Sequence, residues 1–69
     1  MFGEEMKRIR KTLGFTQVQV SKATGIPQNT ISWIEADKGV ASIYQCVQLA
    51  DFYGITVDEL IGRNKSGKQ

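Results

Sequence analysis

A chain of 69 residues has room for one domain, and at that size folding buries only roughly 60% of the unfolded surface, so its elements must be short and closely joined. Its 41% apolar and 23% charged residues exclude a disordered chain, and no apolar run is long enough to span a membrane. A net charge of +2, no histidine and one cysteine, Cys46, exclude an internal disulfide, argue against zinc and fit a reducing cytoplasm.

Met1 reads as a native start with no leader after it. The first helix is expected over residues 2–13, where Phe2, Met6, Ile9 and Leu13 recur at steps of three and four as one apolar stripe. Glu4 and Glu5 near its start and Arg10 and Lys11 near its end suit the helix dipole. Gly14 stops it, and Phe15 packs back as the chain turns.

Residues 16–35 read as two short helices joined at Gly25. Thr16 and Gln19 form a capping box, with the Thr16 hydroxyl accepting from the Gln19 amide and the Gln19 side chain returning to the Thr16 amide. Val20 and Ala23 are expected inside, and Val18 half-exposed near the turn. Pro27 stands where the next helix begins, its φ already helical. Ile31 and Ile34 share the inward face, which leaves Gln28, Asn29, Ser32 and Trp33 pointing outward. Two helices with a short glycine turn, the second offering amides and an indole, make a helix-turn-helix.

A loop follows with Gly39 at its bend. Ser42 and Gln45 form a second capping box and open a fourth helix, which carries Ile43, Cys46, Leu49, Ala50 and Tyr53 on one face at the centre of the core. Gly54 closes it, and Thr56 with Glu59 opens a last short helix through Leu60 and Ile61 that stops at Gly62. Each helix thus has a glycine beyond its end: Gly14, Gly25, Gly39, Gly54 and Gly62. The agreement of start signals, stop signals and periodicity predicts a compact all-α domain of five helices over residues 1–62, with a disordered basic tail at 63–69.

The outward residues carry the chemistry. The Gln28 and Asn29 amides suit either solvated positions at a helix start or bidentate pairing with an adenine edge. Trp33 is either a partly buried aromatic or, at the border of the inward face, a contact for a thymine methyl or a sugar, with its N–H on a phosphate. Gln17 and the free amides of its helix turn form a candidate phosphate clamp. Ser42, Ile43 and Tyr44 offer another, and Lys38 is either a solvated lysine or an ionic contact to the same backbone. Arg10, near the first stripe, and Glu35, after Ile34, are read as a pair tying the first helix to the third, or else as separate charges.

Charge alone does not point to nucleic acid. Between residues 17 and 62, Lys22 and Lys38 face Glu35, Asp37, Asp51, Asp58 and Glu59. Catalysis has little support: no histidine, no nucleophile beside a base, no phosphate-cradling glycine loop and no paired carboxylates on one helix face. Cys46, on the buried stripe, reads as packing.

Thr16-Gln17, Gly25, Thr30-Ile31-Ser32, Ile34-Glu35 and the closing Val57-Asp58-Glu59-Leu60-Ile61-Gly62 together resemble the XRE-type helix-turn-helix family, the DNA-binding domains of phage lambda-like repressors and Cro proteins. That resemblance covers residues 4–62. It implies a lambda-repressor-like fold with the helix-turn-helix at helices 2 and 3. It implies that Gln17 holds a phosphate, that Pro27, Gln28, Asn29, Ser32 and Trp33 fall where relatives read bases or nearby backbone, and that Arg10 and Glu35 form a buried ion pair. It further implies a homodimer on a palindromic operator, with Ile55, Val57, Leu60, Ile61 and Phe52 at the interface. Two positions depart from the pattern: Pro27 stands where relatives often carry a capping serine or threonine, and Trp33 where they often carry a long polar residue.

These readings converge on a cytoplasmic, sequence-specific regulator of bacterial or phage transcription, more a repressor than an activator. Its partner is double-stranded DNA, with no cofactor, no small-molecule substrate and no membrane. The rival is a protein-interaction module of the same fold, an antitoxin or adaptor acting through a regulatory protein partner.

Overall fold

The computed structural model describes residues 2–62; Met1 and the tail expected at 63–69 lie outside the described residues. The described residues form α1 (Phe2–Thr12), α2 (Gln17–Thr24), α3 (Gln28–Glu35), α4 (Ile43–Tyr53) and α5 (Val57–Leu60), with no strand among them. This is the five-helix all-α architecture expected from the cap and glycine signals.

All three capping boxes form. Thr16, Ser42 and Thr56 each accept from the backbone amide three residues on, and Gln19, Gln45 and Glu59 return the bond. Gly25 takes the left-handed conformation, φ 82°, that a turn this tight demands, and its amide donates to the Ser21 carbonyl. Pro27 differs from expectation: with ψ at 144° it caps α3 from outside, and the first helical residue is Gln28.

The end of α3 also departs from the sequence reading. Asp37, at φ 59°, takes the left-handed position expected of Gly39. Its amide donates to the Ile34 carbonyl and that of Lys38 to the Trp33 carbonyl, a pairing that closes the helix at Glu35, where the sequence reading ended it, with Asp37 and not Gly39 making the turn.

α3 is gripped by α1 and α2, while α4 packs on α2 and α5, and α5 returns to α1. The core gathers Met6, Ile9, Val20, Ile26, Ile31, Ile34, Cys46, Leu49, Ala50, Tyr53 and Leu60. Each large aliphatic side chain in it contributes about 1.5–3 kcal/mol by leaving water. Ile26 went unassigned in the sequence because a lone apolar residue between Gly25 and Pro27 has no helical period. Phe15 packs back as expected, its ring 4.9 Å from that of Phe52 and 6.4 Å from that of Tyr53. Burial, with the nearby Glu35 carboxylate adding to it, pushes the Tyr53 phenol up to about 12.

Four apolar residues lie further out than the periodicity implies. Phe2 is 52% exposed and Leu13 is also exposed, because the inward edge of α1 runs through Gly3, Met6, Ile9 and Arg10 instead. The cause is the close approach of Gly3 to the end of α3. A β-carbon there would lie 2.3 Å from the Ile34 carbonyl oxygen, and the Gly3 amide donates to Asp37 Oδ1 at 3.0 Å. Ile43 is 73% exposed, at the first turn of α4 where nothing covers it. Ala23 is exposed too, since it borders an open recess with Thr24, Gln48, Asp51 and Phe52.

Arg10 and Glu35 meet as the sequence reading proposed, each only 7% exposed. Arg10 Nε donates to Glu35 Oε2 at 2.8 Å and Nη2 to Oε1 at 2.9 Å, while Nη1 donates to the Phe15 carbonyl at 2.8 Å. The bond from Glu35 raises the already high pKa of the guanidinium. The pair thus fixes α1, the α1–α2 turn and α3 at one point.

Two stability outcomes follow. Arg10→Met leaves the Glu35 carboxylate buried without a counter-charge and is expected to cost about 3–5 kcal/mol in urea unfolding, whereas adding Glu35→Leu recovers most of it. Gly3→Ala is expected to lower the melting temperature although alanine is the better helix former by about 1 kcal/mol, because the added methyl meets the Ile34 carbonyl.

Candidate nucleic-acid interface

α3 turns Ile31 and Ile34 into the core and leaves the opposite face open. On that face Gln28, Asn29, Ser32 and Trp33, with Ala36 and Lys38 at one end, line a shallow groove. Four of the five residues expected to read bases therefore share one surface. Pro27 is exposed beside them at the helix start but does not line the groove.

Gln17 connects this surface to the buried ion pair. Its Nε2 donates to Glu35 Oε1 at 3.0 Å, and its Oε1 accepts from Gln28 Nε2 at 3.5 Å. Glu35 Oε1 therefore accepts from both Arg10 and Gln17. The result is a run of contacts from the core to the first reading residue, Arg10 to Glu35 to Gln17 to Gln28. The sequence offered the Arg10–Glu35 pair but not its extension through Gln17 to Gln28, because the residues belong to three helices.

The Gln17 side chain is thus occupied inside the protein, and what α2 presents outward is backbone. The capping box uses the Thr16 and Gln19 amides, which leaves those of Gln17 and Val18 unpaired at the helix start. The start of α4 repeats the arrangement. Ser42 and Gln45 satisfy each other, and the Ile43 and Tyr44 amides remain at an exposed terminus. Lys38 lies in the groove itself, whereas Ser42 and Tyr44 are exposed but do not line it.

Of the five residues expected at a dimer interface, Leu60 is 0% exposed and belongs to the core. It sits on the inner side of a single-turn helix that has only one side to bury. Phe52, Ile55, Val57 and Ile61 are half-buried against that core and keep part of their surface outside.

The local electrostatics differ from the residue count. Glu35 is neutralised by Arg10, and Asp37 is directed to the Gly3 amide. Among the described residues, Lys38 is the only charged side chain lining the groove. Of the five acidic residues in the central segment, Glu35 is therefore matched inside the domain and Asp37, though exposed, is engaged by the start of α1.

Nothing in this geometry assembles a reacting group. Burial pushes the Cys46 thiol above its usual pKa, which favours the inert protonated form. Among the described residues, no three histidine, cysteine or acidic side chains come together as metal ligands, and no helix is long and apolar enough to cross a membrane.

The profile of the helix-turn-helix family matches residues 6–60. No curated protein matches the chain. Among solved structures, a transcriptional regulator from Listeria innocua superposes with a TM-score of 0.79 at 22% identity. The match covers 90% of this chain and 58% of that one, so this chain spans little more than half the length of its structural relative, and the likeness supports the fold. With the family profile running through all five helices and the groove lying on the second helix of the motif, the chain belongs to the XRE-type helix-turn-helix family of DNA-binding regulators.

Proposed function

We propose that the protein is a transcriptional repressor that binds a palindromic operator as a homodimer, with α3 of each protomer in a major groove. Half-sites would then lie about 34 Å apart, one helical turn. The observation that carries this reading is the alignment of Gln28, Asn29, Ser32 and Trp33 along one open groove on a helix anchored from behind by Arg10 and Glu35.

In this reading Gln28 and Asn29, at the start of α3, reach base edges first, and either amide matches the donor and acceptor pair of adenine. Ser32 follows one turn on and serves either a donor or an acceptor. Trp33 contributes apolar contact, and Pro27 touches backbone beside the first base. The free amides at the starts of α2 and α4 hold phosphates near Gln17, Ser42 and Tyr44, and Lys38 adds a charge. With few lysines and arginines on the domain, non-specific affinity is modest and, being electrostatic, is lost as salt rises. Phe52, Ile55, Val57 and Ile61 supply the two-fold contact, without Leu60. A DNA partner and one unpaired cysteine agree with a cytoplasmic protein.

A second reading, an antitoxin or adaptor with a protein partner, is favoured by the exposed apolar side chains of Val40, Ile43 and Tyr44 before and at the start of α4.

Selection of sites from randomised duplex DNA at two salt concentrations separates the two. Repression through a dimer predicts an enriched palindrome with half-sites one turn apart; no enrichment, with binding that disappears as salt rises, leaves the partner reading. On the enriched site, Gln28→Ala is expected to weaken binding about tenfold or more while unfolding changes by less than about 0.5 kcal/mol. Unaltered affinity removes Gln28 from the reading surface.

A further inference from the structure

Trp33 is the chain's one tryptophan, and it stays 49% exposed on the groove wall. An indole in that position could swing freely, but here its benzo ring lies against the backbone of Gly39. A β-carbon at Gly39 would fall 2.0 Å from Cη2, 2.2 Å from Cζ3 and 2.4 Å from Cζ2 of the indole. The backbone of Gly39 does not take the left-handed conformation, so its lack of a side chain serves this contact and not a turn. The loop is itself held to Trp33, since the Lys38 amide donates to the Trp33 carbonyl at 3.1 Å and Asp37 binds the Gly3 amide. The indole is therefore seated before any ligand arrives.

A seated indole can add apolar contact at a defined point but cannot pair bidentately with a base. In the major groove the apolar feature that distinguishes one base from another is the 5-methyl group of a pyrimidine. We infer that Trp33, seated on Gly39, selects a pyrimidine 5-methyl group at one base pair of each half-site, with Gly39 as the positioning residue. The inference rests on the reading of α3 as the recognition helix. Prior seating matters because a side chain that must be ordered on binding gives up about 0.5–1.5 kcal/mol of the contact it makes.

The test uses the operator obtained by selection, with each thymine replaced in turn by deoxyuridine and each cytosine by 5-methylcytosine. Loss of one methyl contact weakens binding about fourfold, and loss at both symmetric positions about fifteenfold. One such position is expected for the wild-type chain. A loss on deoxyuridine identifies thymine as the source, and a gain on methylation identifies 5-methylcytosine. Trp33→Ala and Gly39→Ala are expected to abolish that ratio while leaving the discrimination attributed to Gln28 in place. Gly39→Ala should also shift the emission of the free protein to the red as the indole is pushed into water. Trp33→Ala keeps the comparison open if Gly39→Ala does not fold. An enriched operator that tolerates deoxyuridine and 5-methylcytosine everywhere, or a ratio that survives Trp33→Ala, overturns the inference and leaves the recognition helix standing. Failure to enrich any operator overturns both.

Discussion

The pairing of Arg10 with Glu35 is the constraint on which the rest of the domain depends. Two charges removed from water lose several kcal/mol each, and their attraction returns this only when geometry is good and the remaining polar atoms are satisfied. Both conditions hold here: the guanidinium makes two bonds to the carboxylate and a third to the Phe15 carbonyl, and no buried side-chain polar atom among the described residues lacks a partner. The pair therefore acts chiefly through geometry. A displacement of α3 relative to α1 would break charge-assisted bonds in a dry setting, so it is resisted far more steeply than apolar contacts alone would resist it.

α3 is fixed at both ends, and the pair at Glu35 lies at the second of them. At its start, Ile26 drops into the core between Gly25 and Pro27, and Gln48 Nε2 donates to the Thr24 carbonyl from α4, so the turn is held on two sides. At its end, two glycines permit approaches that no side chain would allow. Gly3 brings α1 against the last carbonyls of α3, and Gly39 lies under the Trp33 ring. Asp37 stands between them, closing α3 with its backbone and meeting the Gly3 amide with its carboxylate. A helix of eight residues would not persist in water alone; this one is held by tertiary contacts at each turn, which is what a surface that reads bases requires.

The same contacts change how the charge of the chain should be understood. Counted along the sequence, the central segment is acidic and ill-suited to a polyanion. In the fold, Glu35 is matched inside the domain and Asp37 serves a helix start, so Lys38 is left as the charge beside the reading groove. Net charge governs long-range attraction, but which partner fits a groove is decided by the few groups that line it.

Much of this was legible from neighbours in sequence. Capping boxes and glycine turns act over three to five residues, so Thr16, Ser42, Thr56 and Gly25 could be assigned from spacing, and helical periodicity placed Ile31 and Ile34 inside and Gln28, Asn29, Ser32 and Trp33 outside. The pairing of Arg10 with Glu35 was offered by their places beside inward stripes and implied by the family resemblance, but position alone left two separate charges equally open. Tertiary structure alone decided which edge of α1 faces inward, and so left Phe2 and Leu13 outside. It decided that Leu60 fills the core, that Gln17 bridges Glu35 and Gln28, and that Gly39 serves an indole and not a turn. Local signals report the torsions and hydrogen bonds of one segment; a close approach between backbones, or a side chain shared by three helices, depends on atoms that meet only when the whole chain has packed.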